Sequence, residues 1–160
     1  MEVEDDEDYA RFAADRGDAL TRFGYVLSGN PHDAADLVQE ALVRLRAAWP
    51  RVRRKGNPEA YVRTTMSRLH ISIWRARRHE RLAWEPPDRP VFDSPDDGAL
   101  WSALATLPPR QRAVLVLRYY EDLSDEEIAA TLKISRGTVR SQASRALDKL
   151  RTLQPLGSMR

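Results

Sequence analysis

The sequence predicts an all-helical chain folded as two small domains. Apolar residues recur at helical spacing through most of its length. No alternating apolar–polar run persists as a strand would require. Two stretches rich in basic side chains are separated by a proline-rich segment, residues 79–98, HERLAWEPPDRPVFDSPDDG, with four prolines. A length of 160 residues suits one domain or two small ones.

The acidic start, MEVEDDED over residues 1–8, is too polar to bury a core and is expected to be disordered. A first helix is expected over Tyr9–Leu27, with Phe12, Ala13, Leu20, Phe23 and Leu27 as core, broken by Ser28-Gly29-Asn30. Asn30-Pro31 supplies a cap followed by proline at the first helical position, so a second helix runs to about Trp49 and Pro50 ends it. Leu37, Ala41, Leu42, Leu45 and Trp49 share one of its faces. Asn57-Pro58-Glu59 repeats the signal and opens a third helix over about Glu59–Arg78, with Tyr61, Thr65, Met66, Leu69 and Ile73 inward. Residues 9–78 are therefore one domain.

Proline fixes the backbone and withholds a donor, so residues 79–98 form a linker, although Trp84, Val91 and Phe92 give it apolar contacts to make. Residues 99–153 are a second domain of four helices. Trp101, Leu104 and Leu107 line the first, Pro108-Pro109 breaks it, and Ala113–Tyr120 is the apolar body of the second. Residues 154–160 form a tail with no assigned role.

The last two helices carry the strongest signal. Ser124 precedes Glu127 by three residues, the spacing of a capping box, and Ile128, Ala129 and Leu132 form an apolar face. Lys133 and Ile134 make a turn, Ser135 caps the next helix, and Val139, Ala143, Ala146, Leu147 and Leu150 lie along one side of it. Such a turn usually holds glycine, and a left-handed backbone at Lys133 costs roughly 1 kcal/mol. The pair reads as a helix-turn-helix whose second helix enters a DNA major groove. Its outward positions include Arg136, Thr138, Arg140, Ser141, Gln142, Ser144 and Arg145, groups that bind phosphates and base edges.

The net charge of +2 conceals an alternation. Residues 1–32 carry −5, residues 33–81 carry +7, residues 82–98 carry −4 and residues 99–153 carry +3. Two basic blocks point to two modules facing nucleic acid. With no cysteine, disulfides and thiolate metal sites are excluded, and His32, His70 and His79 are too scattered for a metal site. No apolar run reaches the length of a membrane span, and the acidic start is unlike a secretory signal, so a cytoplasmic protein is expected. No nucleophile–base pair, phosphate-cradling glycine loop or carboxylate dyad is present, so no enzyme activity, cofactor or small-molecule substrate is expected.

Three blocks carry a family likeness: Asp33-Ala34-Ala35-Asp36-Leu37-Val38-Gln39-Glu40-Ala41, Tyr61-Val62-Arg63 through Trp74-Arg75-Ala76-Arg77-Arg78, and Leu107-Pro108-Pro109-Arg110-Gln111-Arg112 with Gly137-Thr138-Val139-Arg140-Ser141. In this order they resemble the bacterial RNA polymerase sigma factors of the sigma-70 superfamily. The size and the two modules are similar to the extracytoplasmic-function (ECF, group 4) subfamily, which keeps only sigma domains 2 and 4. The resemblance covers roughly residues 9–153. It implies that Asp36, Gln39, Glu40 and Arg44 dock on the clamp of the polymerase large subunit. It implies that Arg63, Arg68, Trp74, Arg75, Arg77 and Arg78 engage the −10 element and melted DNA, where cationic and flat side chains suit a phosphate backbone and unstacked bases. It implies that Arg136, Thr138, Arg140, Ser141, Ser144 and Arg145 read the −35 element. Arg68 and Ser72 stand where the family often has Asn and Asp, so the −10 base preference does not carry over. The partners implied are core polymerase, through its clamp and flap region, and promoter DNA. An anti-sigma protein commonly restrains members of this subfamily. The competing reading is a stand-alone helix-turn-helix regulator, which would need residues 9–78 as a sensor or dimer module. Stacked arginines fit an apolar ligand pocket poorly.

Overall fold

The computed structural model describes residues 2–80 and 102–153, except for the side chains of Glu2, residues 77–80 and Leu153. The described residues are helical with turns and contain no strand. The chain divides into two compact units, Met1–His70 and Ile71–Arg160. The proline-rich segment with Trp84, Val91 and Phe92, Trp101 and the tail lie outside the described residues.

Three helices build the first unit: α1 (Glu2–Ser28), α2 (Pro31–Lys55) and α3 (Pro58–Glu80), whose last ten residues fall in the second unit. Gly29 ends α1 at φ 73, a left-handed conformation that a glycine adopts freely. The Asn30 side chain then accepts from the backbone N–H groups of His32 (2.8 Å) and Asp33 (3.1 Å), with Pro31 at the first helical position. Asn57 caps α3 in the same way, accepting from Ala60 at 3.2 Å. Leu20, Phe23 and Leu27 of α1 are buried, as are Leu37, Ala41 and Leu45 of α2 and Val62 and Met66 of α3. Gly24 permits the close approach: a Cβ there would stand 3.0 Å from Met66 Cε and 3.2 Å from the Ala34 carbonyl oxygen.

Three expectations need correction. Residues 2–8 are not disordered but extend α1. Asp5 and Asp8 pair with Arg53 of α2 (2.8 and 2.5 Å), Asp6 pairs with Arg46, and the Tyr9 hydroxyl donates to the Leu42 carbonyl at 2.8 Å. Acidic groups also suit a helix N-terminus. Pro50 does not end α2, which runs on to Lys55 and closes on Gly56 at φ 79. The missing donor and ring clash cost about 3 kcal/mol, and burial of Trp49 and Val52 on either side offsets that. Trp49 meets Tyr9 edge-on at 5.7 Å and Phe12 at 5.9 Å between ring centres. The inward face of α3 is turned from the expected one: Val62, Met66, Ser67 and Ile71 are buried, Tyr61, Thr65 and Leu69 are half-buried, and Ile73 is 38% exposed.

The second unit holds the remaining helices. Residues 102–105 are helical (α4). Then come α5 (Pro109–Leu115), which continues as a π-helical turn over Val116–Tyr120, α6 (Asp125–Leu132) and α7 (Arg136–Leu153). The π turn shows in the bond from the Glu121 N–H to the Val116 carbonyl at 3.1 Å. Leu104, Leu107, Val114, Leu117, Ile128, Val139, Ala143 and Ala146 are among the buried residues. Arg112 lies in this interior at 3% exposure. It donates to the carbonyls of Leu104 (3.0 Å), Ala105 (2.9 Å) and Leu107 (3.2 Å) at the end of α4, the first of which also accepts from the Leu107 N–H at 3.1 Å.

Candidate nucleic-acid interface

The helix-turn-helix is set by local chemistry at each end of its elements. Ser124 and Glu127 form a reciprocal capping box. The Ser124 hydroxyl accepts from the Glu127 N–H and the Glu127 carboxylate accepts from the Ser124 N–H, each at 3.1 Å. The backbone bond from Ser124, and secondarily its hydroxyl, hold the Glu127 carboxyl below its ordinary range. Lys133 ends α6 at φ 57, the left-handed turn expected, and the Ile134 N–H bonds the Ala129 carbonyl at 3.0 Å. The Ser135 hydroxyl accepts from the Thr138 N–H at 3.0 Å and starts α7. Val139, Ala143 and Ala146 are buried, and α7 packs on α5 and α6.

That packing turns Arg136, Arg140, Ser141, Ser144 and Arg145 outward. Thr138 is half-buried, with its hydroxyl 2.8 Å from the Ser135 hydroxyl, and Ser141 bonds the Thr138 carbonyl at 3.1 Å. Two of the arginines face carboxylates at the start of α6: Arg136 lies 3.9 Å from Glu126 and Arg140 3.7 Å from Asp125. Asp125 also binds Arg118 from the π turn, and this bond is the main cause that raises the Arg118 pKa. Sequence reasoning missed that link, because Arg118 falls within the apolar body Ala113–Tyr120 and only Ser124 and Glu127 stood out at the start of α6.

In the first unit, Asp36, Gln39, Glu40 and Arg44 are all exposed on α2, with Glu40 and Arg44 paired at 3.2 Å. Val43 stands among them at 59% exposure, an apolar group in a polar patch that the sequence reading passed over. Arg68 and Arg75 are exposed and Trp74 is half-buried. Arg63 is turned inward: its guanidinium lies 5.4 Å from the Phe23 ring centre and 3.7 Å from Glu59, with the side chain 19% exposed. Arg77 and Arg78 are helical in backbone, and their side chains lie outside the described set. An open cleft of about 580 Å³ is lined by Arg44, Pro50, Arg51, Arg54 and Tyr61, among others. It went unseen because Pro50 was read as the end of α2. Among the described residues no His, Asp or Glu cluster could hold a metal ion, and no helix is long and apolar enough to cross a membrane.

Two helical units, the second closing on a helix-turn-helix with arginines on its outer face, define a DNA-binding protein of the transcription machinery. Residues 13–80 match the family Sigma-70 region 2, and residues 103–152 match Sigma-70, region 4. The RNA polymerase sigma-E factor of Streptomyces avermitilis is 43% identical over 155 residues, covering 94% of this chain and 85% of that protein. The ECF RNA polymerase sigma factor SigE of Mycolicibacterium smegmatis is 36% identical over 146 residues, covering 84% and 56%. The sigma factor RpoE of Bartonella quintana, solved in complex with the anti-sigma factor NepR, superposes with a TM-score of 0.68 at 26% identity, covering 92% of this chain and 96% of that one. The chain belongs to the sigma-70 family and is an RNA polymerase sigma factor of the ECF kind.

Proposed function

We propose that this sigma factor places core polymerase on promoters by holding DNA at two sites, with residues 9–78 as sigma domain 2, residues 99–153 as sigma domain 4 and residues 79–98 as their linker. The observation that carries this reading is the outer face of α7, where Arg136, Arg140 and Arg145 stand exposed above a buried stripe of Val139, Ala143 and Ala146. On that face Arg140 and Arg145 contact base edges or phosphates of the −35 element, with Arg136, Thr138, Ser141 and Ser144 in support. On α2, Asp36, Gln39, Glu40 and Arg44 dock on the polymerase clamp, and exposed Val43 gives that patch an apolar centre of the kind protein interfaces favour.

Arg68, Trp74, Arg75, Arg77 and Arg78 of α3 hold the −10 region as it melts. Arg63 contributes there by fixing α3 against Phe23 of α1, with its guanidinium steadied by Glu59 one turn back on α3, rather than by reaching DNA. The cleft bounded by Arg44, Arg51, Arg54 and Tyr61 offers cationic groups beside an aromatic ring, a combination suited to an unstacked nucleotide. The protein performs no covalent step of its own. Its partners are core polymerase, promoter DNA and, by analogy with the Bartonella RpoE–NepR pair, an anti-sigma protein. Its working compartment is the cytoplasm.

Run-off transcription with purified core enzyme tests the proposal. Adding the chain should yield start-site-specific transcripts from upstream regions of its own genome. Tight binding to duplex operators without polymerase, and no transcript with it, would identify a stand-alone regulator instead.

A further inference from the structure

We propose that Asp125 is a positioning residue for Arg140, holding its guanidinium for base contact and so sharpening discrimination at the −35 element. This rests on the reading of Arg140 as a residue that reads a base.

Asp125 divides its carboxylate between two guanidinium groups. Oδ1 accepts from Arg118 Nη2, and Oδ2 stands 3.7 Å from Arg140 Nε. The three side chains differ in exposure: Arg118 is 24% exposed, Asp125 28% and Arg140 70%. The carboxylate is therefore anchored from behind by a sheltered partner and offers its second oxygen to an exposed one. The raised Arg118 pKa agrees with a firm anchor. Asp125 is the first residue of α6, directly after the capped Ser124, so its backbone is fixed as well.

A long guanidinium side chain held in advance loses less freedom when it binds. Engagement through Nε leaves both Nη groups to donate to guanine O6 and N7. An unheld Arg140 can instead swing to a phosphate, a contact that carries no sequence information. The same carboxylate repels the DNA backbone. Removing it should therefore raise affinity for DNA of any sequence and lower discrimination, two changes of opposite sign that loss of stability does not produce together. Glu126 and Arg136, 3.9 Å apart with side chains 81% and 61% exposed, lack such an anchor and are screened by water.

The test uses holoenzyme assembled from the full chain and purified core polymerase. Bound promoters are sequenced from a library randomised in the upstream element. Arg140→Ala should flatten the preference at one or two positions. Asp125→Asn should reduce the preference at those same positions about threefold, and the chain alone should bind random duplex more tightly. Asp125→Asn/Arg140→Ala should discriminate no worse than Arg140→Ala. If Asp125→Asn folds poorly, Arg118→Gln, which frees the carboxylate from behind, should reduce the preference at the same positions. The proposal is overturned if Asp125→Asn, or Arg118→Gln in its place, keeps full preference where Arg140→Ala loses it; Arg140 then still reads a base. If Arg140→Ala changes no position, the reading of Arg140 falls and the role of Asp125 falls with it.

Discussion

Arg112 donates to three backbone carbonyls at the end of α4, from a site that excludes water almost completely. Burial lowers its guanidinium to about 10, which still leaves the group charged at neutral pH. Arg112→Met would keep most of the packing and remove the donor those carbonyls share, at a cost of about 3 kcal/mol. Thermal melting followed by circular dichroism should show that loss, and Arg112→Lys should not recover it, because an ammonium cannot reproduce the planar fork of donors. The sequence suggested nothing of the kind: Arg112 sits in a basic LPPRQR stretch and reads as a surface group. Arg140 is the opposite case, legible because its spacing from Val139, Ala143 and Ala146 sets it on the outer side of α7. Arg140→Ala should remove about 1–3 kcal/mol of base discrimination without unfolding the domain. Footprinting of the holoenzyme should show weakened −35 protection at an unchanged melting temperature.

Helix boundaries were legible wherever they rest on neighbours in sequence. The Asn30-Pro31 and Asn57-Pro58 starts and the Ser124–Glu127 box follow from side chains bonding backbone two or three residues away. They failed where distant partners decide. Nothing in MEVEDDED announces that Arg46 and Arg53 will receive its carboxylates, and Pro50 stays helical because Trp49 and Val52 are buried beside it. The capping box predicts a pH response. The Glu127 pKa is lowered by folding, so its contribution is present above the ordinary carboxyl value of 4.5 and is lost as pH falls through the lower folded value. Glu127→Ala should therefore destabilise the domain at neutral pH and less so in acid, measured as the difference between melting curves. Ser124→Ala should instead cost about 1 kcal/mol with little pH dependence, because its hydroxyl caps the Glu127 N–H and the Ser124 N–H that bonds the carboxylate remains. Lys133→Gly should act in the other direction: relieving the left-handed strain at φ 57 stabilises the turn by about 1 kcal/mol. The same melts would show a higher transition temperature.

At the scale of the molecule, the alternation of charge along the chain separated the two modules, and the order of three short blocks carried the family likeness. Charge along the sequence overstates charge at the surface, however. Part of the +7 carried by residues 33–81 is already met by the acidic turns of α1, through Asp5, Asp6 and Asp8. Residues 2–8 hold six carboxylates, so a chain lacking them changes its formal charge from +2 to +8 and bares two guanidinium groups. Such a truncated form should elute later from a heparin column, with a steeper dependence on ionic strength. Equal elution would mean that the pairs to Arg46 and Arg53 are too loose in solution to matter. The first two turns of this protein thus act as a built-in counterion, and anyone trimming them to simplify purification will be handling a stickier polypeptide.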